Sequence, residues 1–155
     1  EGHQNIHIAS HLATTEQDYE GLLALGVKTY QNTIEIIDDD KRREIMPKAN
    51  PKARFMGKDD LTFTDVLGQV EAGVSVLGPD SYFGALVLGL DTFDDTKRGL
   101  IALRDAGLSR SDSHPYHPFN RTAVNLHQQL PAEIVETYLV SRKIFQPVQF
   151  QYGQK

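Results

Sequence analysis

Residues 61–90 read LTFTDVLGQVEAGVSVLGPDSYFGALVLGL and carry the clearest hydrophobic pattern of the 155-residue chain. In the first half of this stretch, apolar residues recur at spacings of three and four, as they do on the buried face of an α-helix. Thr62 and Asp65 form a capping-box pattern, and Gly78-Pro79 is a stop signal. The pattern therefore predicts one helix over residues 61–77 and a second that starts at residue 80 or 81 and runs to 90.

Helical patterns also occur on both sides of this stretch, and they predict helices over residues 19–25, 96–106 and 131–145. Residues 29–37 have the β-branched content of a strand and fit either structure, but their surroundings favour a helix. The prediction is an all-α fold, a single compact domain over residues 1–155. It has an irregular loop around residues 107–121 and an extended tail at 146–155.

The charge and the cysteine content exclude several classes of function. The chain has 16 basic and 21 acidic residues, a net charge of −5, and its basic residues are scattered, which argues against a nucleic-acid partner. It contains no cysteine, so disulfides, thiolate metal sites and cysteine nucleophiles are excluded. Residues 72–90 are weakly polar but broken by Pro79 and Asp80, so no membrane span is expected.

Histidines are the first candidates for ligands. His3, His7 and His11 are four residues apart, and on a helix their rings would share one face and could bind a metal ion or a haem. The alternative is a chance spacing in a terminal segment. His114, Tyr116 and His117 lie in a proline-stiffened loop that suits a pocket or, alternatively, plugs the end of a helical core.

Two carboxylates lie three residues apart on the last predicted helix. Glu133 and Glu136 share a face there, and burial of that face would raise the pKa of one of them toward neutrality, as acid–base catalysis requires. The alternative is an ordinary solvated helix face.

Several short motifs of the sequence resemble those of one protein family. Residues 104–112, RDAGLSRSD, followed by FNRT at 119–122, resemble a segment of the haem-thiolate peroxidases, the chloroperoxidases and unspecific peroxygenases. In that family Glu-His-Asp-Ala-Ser-Leu-Ser-Arg-x-Asp precedes Phe-Asn-x-Thr. Met46-Pro47 stands where the family has the Cys-Pro of its iron ligand. The resemblance covers residues 45–145 and leaves 1–44 as a divergent N-terminal segment.

The resemblance implies a peroxidase-like pocket enzyme that acts on a small apolar organic substrate in oxidative or secondary metabolism. Because the cysteine is absent, any haem would need a non-thiolate ligand, for which Met46, His7 and His11 are the candidates. Glu136 would move protons with His114 or His117, and the pocket walls would be Phe55, Phe83, Tyr116 and Phe119. The alternatives are a cofactor-free isomerase, cyclase or hydrolytic enzyme in the same pocket, and a non-enzymatic small-ligand or haem-binding module. The sequence leaves the oligomeric state, secretion and glycosylation at Asn120 open.

Overall fold

A computed structural model describes residues 5–46, 57–116 and 131–145, and it contains a parallel β-sheet. The prediction of an all-α fold is therefore wrong, because the protein is a mixed α/β structure. In chain order the elements are β1 (Ile6–Ser10), α1 (Glu16–Ala24), β2 (Val27–Glu35), α2 (Asp39–Ile45), α3 (Phe63–Leu77), β3 (Tyr82–Leu88), α4 (Phe93–Asp105), β4 (Ser111–Pro115) and α5 (Pro131–Phe145).

The sheet follows the order of the chain. Its strands lie as β1-β2-β3-β4, and every neighbouring pair is parallel. Each strand therefore returns to the same end of the sheet through a helix, as in repeated β-α units. Helix α1 contacts α3, α3 contacts α4, and α4 contacts α5, so the four longer helices form one layer in the same order as the strands.

The helix layer covers one face of the sheet. On β2, Tyr30 and Ile34 point toward the helices, and on β3 Tyr82 and Leu86 do the same. They meet buried side chains from the helices, which are Tyr19, Val66, Val70, Leu100, Leu103 and Phe145. The rings of Tyr19, Tyr30 and Tyr82 contact one another, and burial raises the pKa of Tyr82 to about 12, so its hydroxyl is neutral.

Two segments predicted as helices are strands. Residues 29–37 belong largely to β2, and the second half of the opening stretch forms β3 rather than a helix. Strand β3 is apolar at almost every position because it lies inside a parallel sheet, and such a run also satisfies helical spacing by chance. Of the first histidine group, His7 lies in β1 rather than in a helix, and the predicted loop contains β4.

The remaining helices are confirmed as α1, α3, α4 and α5. Thr62 and Asp65 make both hydrogen bonds of the predicted capping box, and Gly78 ends α3 with a φ of 84°, a conformation that favours glycine. In the described part of the chain, no helix is long and apolar enough to cross a lipid bilayer, as the sequence predicts.

Capping carboxylates give the protein an expected dependence on pH. Backbone hydrogen bonds from Thr14 and Thr15 lower the pKa of Asp18 below its usual 3.8, and the Thr62 hydroxyl and amide do the same for Asp65. Because the folded-state pKa is the lower one, this stabilisation is present above pH 3.8 and is lost as pH falls through the lowered pKa. The Asp18→Asn, Asp65→Asn double variant should therefore lose less stability than the natural chain between about pH 5 and about pH 2.

Urea unfolding at several pH values measures this difference, and exposed Asp94→Asn is the control. An unchanged pH profile in the double variant would show that the two caps do not contribute to acid unfolding.

Candidate functional site

The second face of the sheet carries the candidate site. Because side chains alternate along a strand, Thr29, Gln31 and Thr33 of β2 point away from the helices, and all three are partly exposed. Parallel sheets are usually covered on both faces by apolar layers, so a polar face is unusual. None of the four helices that pack on the first face covers this second one. We call it the open face, and it consists of His7, Ala9, Thr29, Gln31, Thr33, Phe83, Ala85, Val87, Asp112 and His114.

A hydrogen bond crosses the centre of the open face. The Gln31 side-chain amide nitrogen donates to Asp112 Oδ2 at 3.2 Å, although the two residues lie on strands separated by β3. The bond passes over Ala85, which is aligned with Asp112 and has a side chain too small to fill the space. This bond uses one oxygen of Asp112 and the nitrogen of Gln31. The other carboxylate oxygen and the amide oxygen are hydrogen-bond acceptors at the middle of the sheet.

An ion pair lies at the carboxyl end of β2. Glu35 bonds to Lys58, and the two side chains are 28% and 18% exposed. Glu35 has a φ of 65°, and it is the one non-glycine residue in the described segments with a positive φ. The register with β3 shifts at this point, so the backbone forms a bulge that turns Glu35. Such a conformation costs about 1 kcal/mol, and functional sites often contain one.

The loops at this end are held in place by buried polar groups. The Asp91 carboxylate accepts hydrogen bonds from the amides of Ile37 at 2.8 Å and Asp38 at 2.9 Å. Burial raises the pKa of Asp91. The Arg42 guanidinium donates to the carbonyl oxygens of Ile34 and Ile36. The Asp91 bonds connect the chain after β2 with the chain after β3, and the Arg42 bonds connect α2 with the end of β2.

An apolar cluster forms a wall at the same end. Its buried members are Ile36, Met46 and Leu90, and Val87 and Tyr116 pack against them. Met46 is 8% exposed, so its thioether contributes to this wall. The carboxyl end therefore combines an apolar wall with polar groups on the floor, the usual composition of a small-molecule site.

The amino end of the open face is filled by its own side chains. The His7 ring stacks on Phe83 with ring centroids 5.5 Å apart, and the Arg110 guanidinium lies 4.0 Å from the Phe83 ring centroid. His7 Nδ1 also shares a hydrogen bond of 2.8 Å with the Thr29 hydroxyl. A ligand on the open face would thus have its space toward the carboxyl end.

The structure brings some predicted site residues together and separates others. His7 contacts Phe83, His114 lies on the open face, and Met46 and Tyr116 share the apolar wall. His11 follows β1 directly. Glu136 is exposed on α5. The remaining predicted residues, His3, Phe55, His117 and Phe119, and also Asn120, lie outside the described residues.

Two predicted groupings do not match the geometry of the described residues. Helix α5 packs against β4 on the helical face, where the hydroxyl groups of Ser113 and Ser141 lie 2.9 Å apart, whereas His114 points to the open face. The sheet therefore lies between Glu136 and His114. Four residues of an extended chain span roughly 13 Å. The backbones of His7 and His11 are therefore too far apart for the two rings to share a metal ion. Within residues 5–46, 57–116 and 131–145, no three potential ligands form a metal-binding group.

Sequence reasoning did not find Gln31, Glu35, Lys58 or Asp112. The available signal was the alternation along β2, in which Thr29, Gln31, Thr33 and Glu35 are polar at every second position. It was obscured because Asn32, on the helix-facing side, is also polar.

Comparison with known proteins adds no assignment. No model of a known protein family matches the chain, and no curated protein matches it. The resemblance to the haem-thiolate peroxidases stays a prediction from short motifs, and the all-α fold that it implied is wrong. Function must therefore be argued from the geometry of the open face.

Proposed function

We propose that the open face binds a small polar molecule whose own hydrogen-bond donors, chiefly a protonated amino group, meet acceptors on the sheet. In this proposal the open face is the substrate-binding wall of a β/α-type enzyme site. One observation carries this proposal. Among residues 5–46, 57–116 and 131–145, the four longer helices pack on one face of the parallel sheet, and the Gln31–Asp112 pair lies at the centre of the other face.

The position of the polar groups supports a ligand at the carboxyl end of the strands. Open parallel sheets and β/α barrels bind their ligands at this end, because the loops that follow the strands converge there. Glu35 and Lys58 meet at this end, and His114 lies one residue before the end of β4. The strained backbone at Glu35 lies within the same region.

The charges favour a donor-rich ligand over an anion. Lys58 neutralises Glu35 through its ion pair, and the Arg110 guanidinium lies over Phe83 at the amino end, so Asp112 is the carboxylate at the centre of the face that can bind a cation. A protonated amine could bind the second oxygen of Asp112 and the amide oxygen of Gln31 together. Hydrogen bonds to charged groups contribute about 1.5–3 kcal/mol, enough to select an amine over a neutral analogue.

Calorimetric titration tests this selectivity with three probes that share a six-carbon polyhydroxyl skeleton and differ in charge. Glucosamine should bind more tightly than glucose, and gluconate should bind least, because its carboxylate faces Asp112 and Glu35. Asp112→Asn should weaken glucosamine binding by roughly tenfold and reduce the preference over glucose. The matched control is Asp105→Asn, which removes a carboxylate paired with Arg104 on the surface of α4. Equal binding of all three sugars, or an unchanged affinity in Asp112→Asn, would refute the proposal.

The haem-dependent and acid–base alternatives stay predictions. Of the predicted haem ligands, His7 lies on the open face and stacks on Phe83, and Met46 lies in the apolar cluster at the carboxyl end. The absorption spectrum of purified protein after addition of haemin separates the alternatives, because only bound haem gives a shifted Soret band. For the cofactor-free enzyme, His114 is on the open face, and its predicted partner Glu136 is on the other side of the sheet.

A further inference from the structure

The exposed apolar side chains lie only at the two lateral ends of the described structure. Seven large hydrophobic residues are exposed among the described residues, and none of them falls within 26–46 or 57–116. Four lie near the β1 end, and three lie on α5 beside β4. They are Ile6, Leu12, Leu23 and Leu25 at the first end and Val135, Tyr138 and Leu139 at the second. Large apolar side chains concentrated in this way mark interaction surfaces.

The two ends have complementary shapes. At the β1 end a groove of about 310 Å³ runs between the strand and α1, and Ile8, Leu12 and Leu22 line it. At the other end α5 follows β4, and its exposed residues form a stripe at positions 135, 138 and 139. Such a stripe covers one helix face, which is the shape that a groove beside a strand accepts.

We propose that two copies of this chain associate with β4 of each beside β1 of the other, so that eight parallel strands close a barrel. In this arrangement α5 of each copy fills the groove between β1 and α1 of the other. Eight is the strand number at which parallel β/α units close with a filled interior. The strands keep their parallel direction across both junctions, and a twofold axis along the barrel relates the copies.

The assembly is independent of the proposed ligand, since it rests on the edges rather than on the open face. It would nevertheless complete the site. Both open faces would line one interior, so the Gln31–Asp112 pairs of the two copies would face each other across it, and the loops at the carboxyl ends of all eight strands would surround one site.

Area and charge agree with a second copy as the occupant. At roughly 100 Å² for each side chain, the seven exposed residues supply close to the ~800 Å² per partner of a standard stable interface. Helix α1 has three acidic residues and no basic one, whereas Arg142 and Lys143 lie in the last turn of α5. Neighbouring helices of a barrel are parallel, so this basic turn would lie at the end of α1 that follows Glu20, and Glu16 and Asp18 would lie at the far end.

Sedimentation velocity over a range of concentrations tests the association. The natural chain should sediment as a particle of two chains, and Leu139→Arg should weaken association at least about tenfold, because it places a charge in the groove. Ser75→Arg, an equivalent change at an exposed position of α3, should leave the dimer intact. A chain that remains a monomer at about 100 μM would overturn the proposal, as would a dimer unaffected by Leu139→Arg.

Disulfide cross-linking tests which elements meet in the dimer. Because the sequence contains no cysteine, any disulfide must form between the introduced residues. A mixture of Leu12→Cys and Leu139→Cys chains should form a disulfide between the two different variants under mild oxidation. Leu139→Cys alone should form none above the level of a Ser75→Cys control. A disulfide between two Leu139→Cys chains would show a dimer through α5 alone and would overturn the barrel.

Discussion

Gly73→Ala is expected to lower the free energy of unfolding by about 3 kcal/mol or more, since it forces a new atom into a closed aromatic cluster. A Cβ at Gly73 would lie 2.1 Å from Tyr82 Cε2 and 2.4 Å from Cδ2. The Tyr82 ring is prevented from moving by its stack on Tyr30 at 5.6 Å between ring centroids. Its hydroxyl accepts a hydrogen bond of 2.9 Å from the Asn32 side chain.

Gly68 provides the matched control on the same helix. A Cβ there meets nothing within 4 Å, so Gly68→Ala should raise stability by up to about 1 kcal/mol through helix propensity alone. Urea unfolding of the two variants measures the difference. Equal changes in both variants would show that Tyr82 does not pack against α3 as described.

Arg42→Met is expected to lower the free energy of unfolding by about 3–5 kcal/mol. The Arg42 side chain is 1% exposed, and it donates to the carbonyl oxygens of Ile34 and Ile36. Burial lowers its pKa, and the nearby carboxylates of Asp39, Asp91 and Glu35 oppose that shift. Methionine would fill the space but remove the Arg42 donor from both carbonyl oxygens, of which the Ile34 oxygen keeps the bond from the Ile36 amide, and it would withdraw a positive charge from near Asp39, Asp91 and Glu35.

Arg43, the next residue of α2, is the control for a general effect of replacing an arginine in this helix. Arg43 pairs with Asp40 at the surface, and its side chain is 55% exposed, so Arg43→Met should change stability by less than about 0.5 kcal/mol. Thermal and urea unfolding of both variants give the comparison. A small effect of Arg42→Met would mean that the rim of the open face does not depend on the buried guanidinium.

Helices with strong end signals could be predicted from the sequence, and strands could not. The capping box at Thr62 and the glycine at 78 are local signals, so α3 was found almost to the residue. Strands β2 and β3 depend on neighbours far away in the chain. Phe83 and Leu86 satisfy helical spacing, and only the pairing of Tyr82 with Tyr30 shows that they belong to a sheet.

The candidate site was predictable only in fragments. The sequence predicts His7 as a ligand, His114 as a proton-transfer partner and Phe83 as a pocket wall, and all three lie on the open face. The groupings predicted for them do not occur, because a strand separates residues that a helix would bring together. Gln31 and Asp112 are 81 positions apart, and their contact depends on the strand order, which no local pattern encodes.

Nuclear magnetic resonance of isotope-labelled protein shows whether the open face of the sheet binds a ligand. During titration with glucosamine, the largest chemical-shift changes should fall on Gln31, Thr33, Ala85 and Asp112. The helix-facing neighbours Ile34 and Leu86 should change much less. Changes centred on α3, α4 or α5, or no saturable change at any described residue, would contradict binding at the open face.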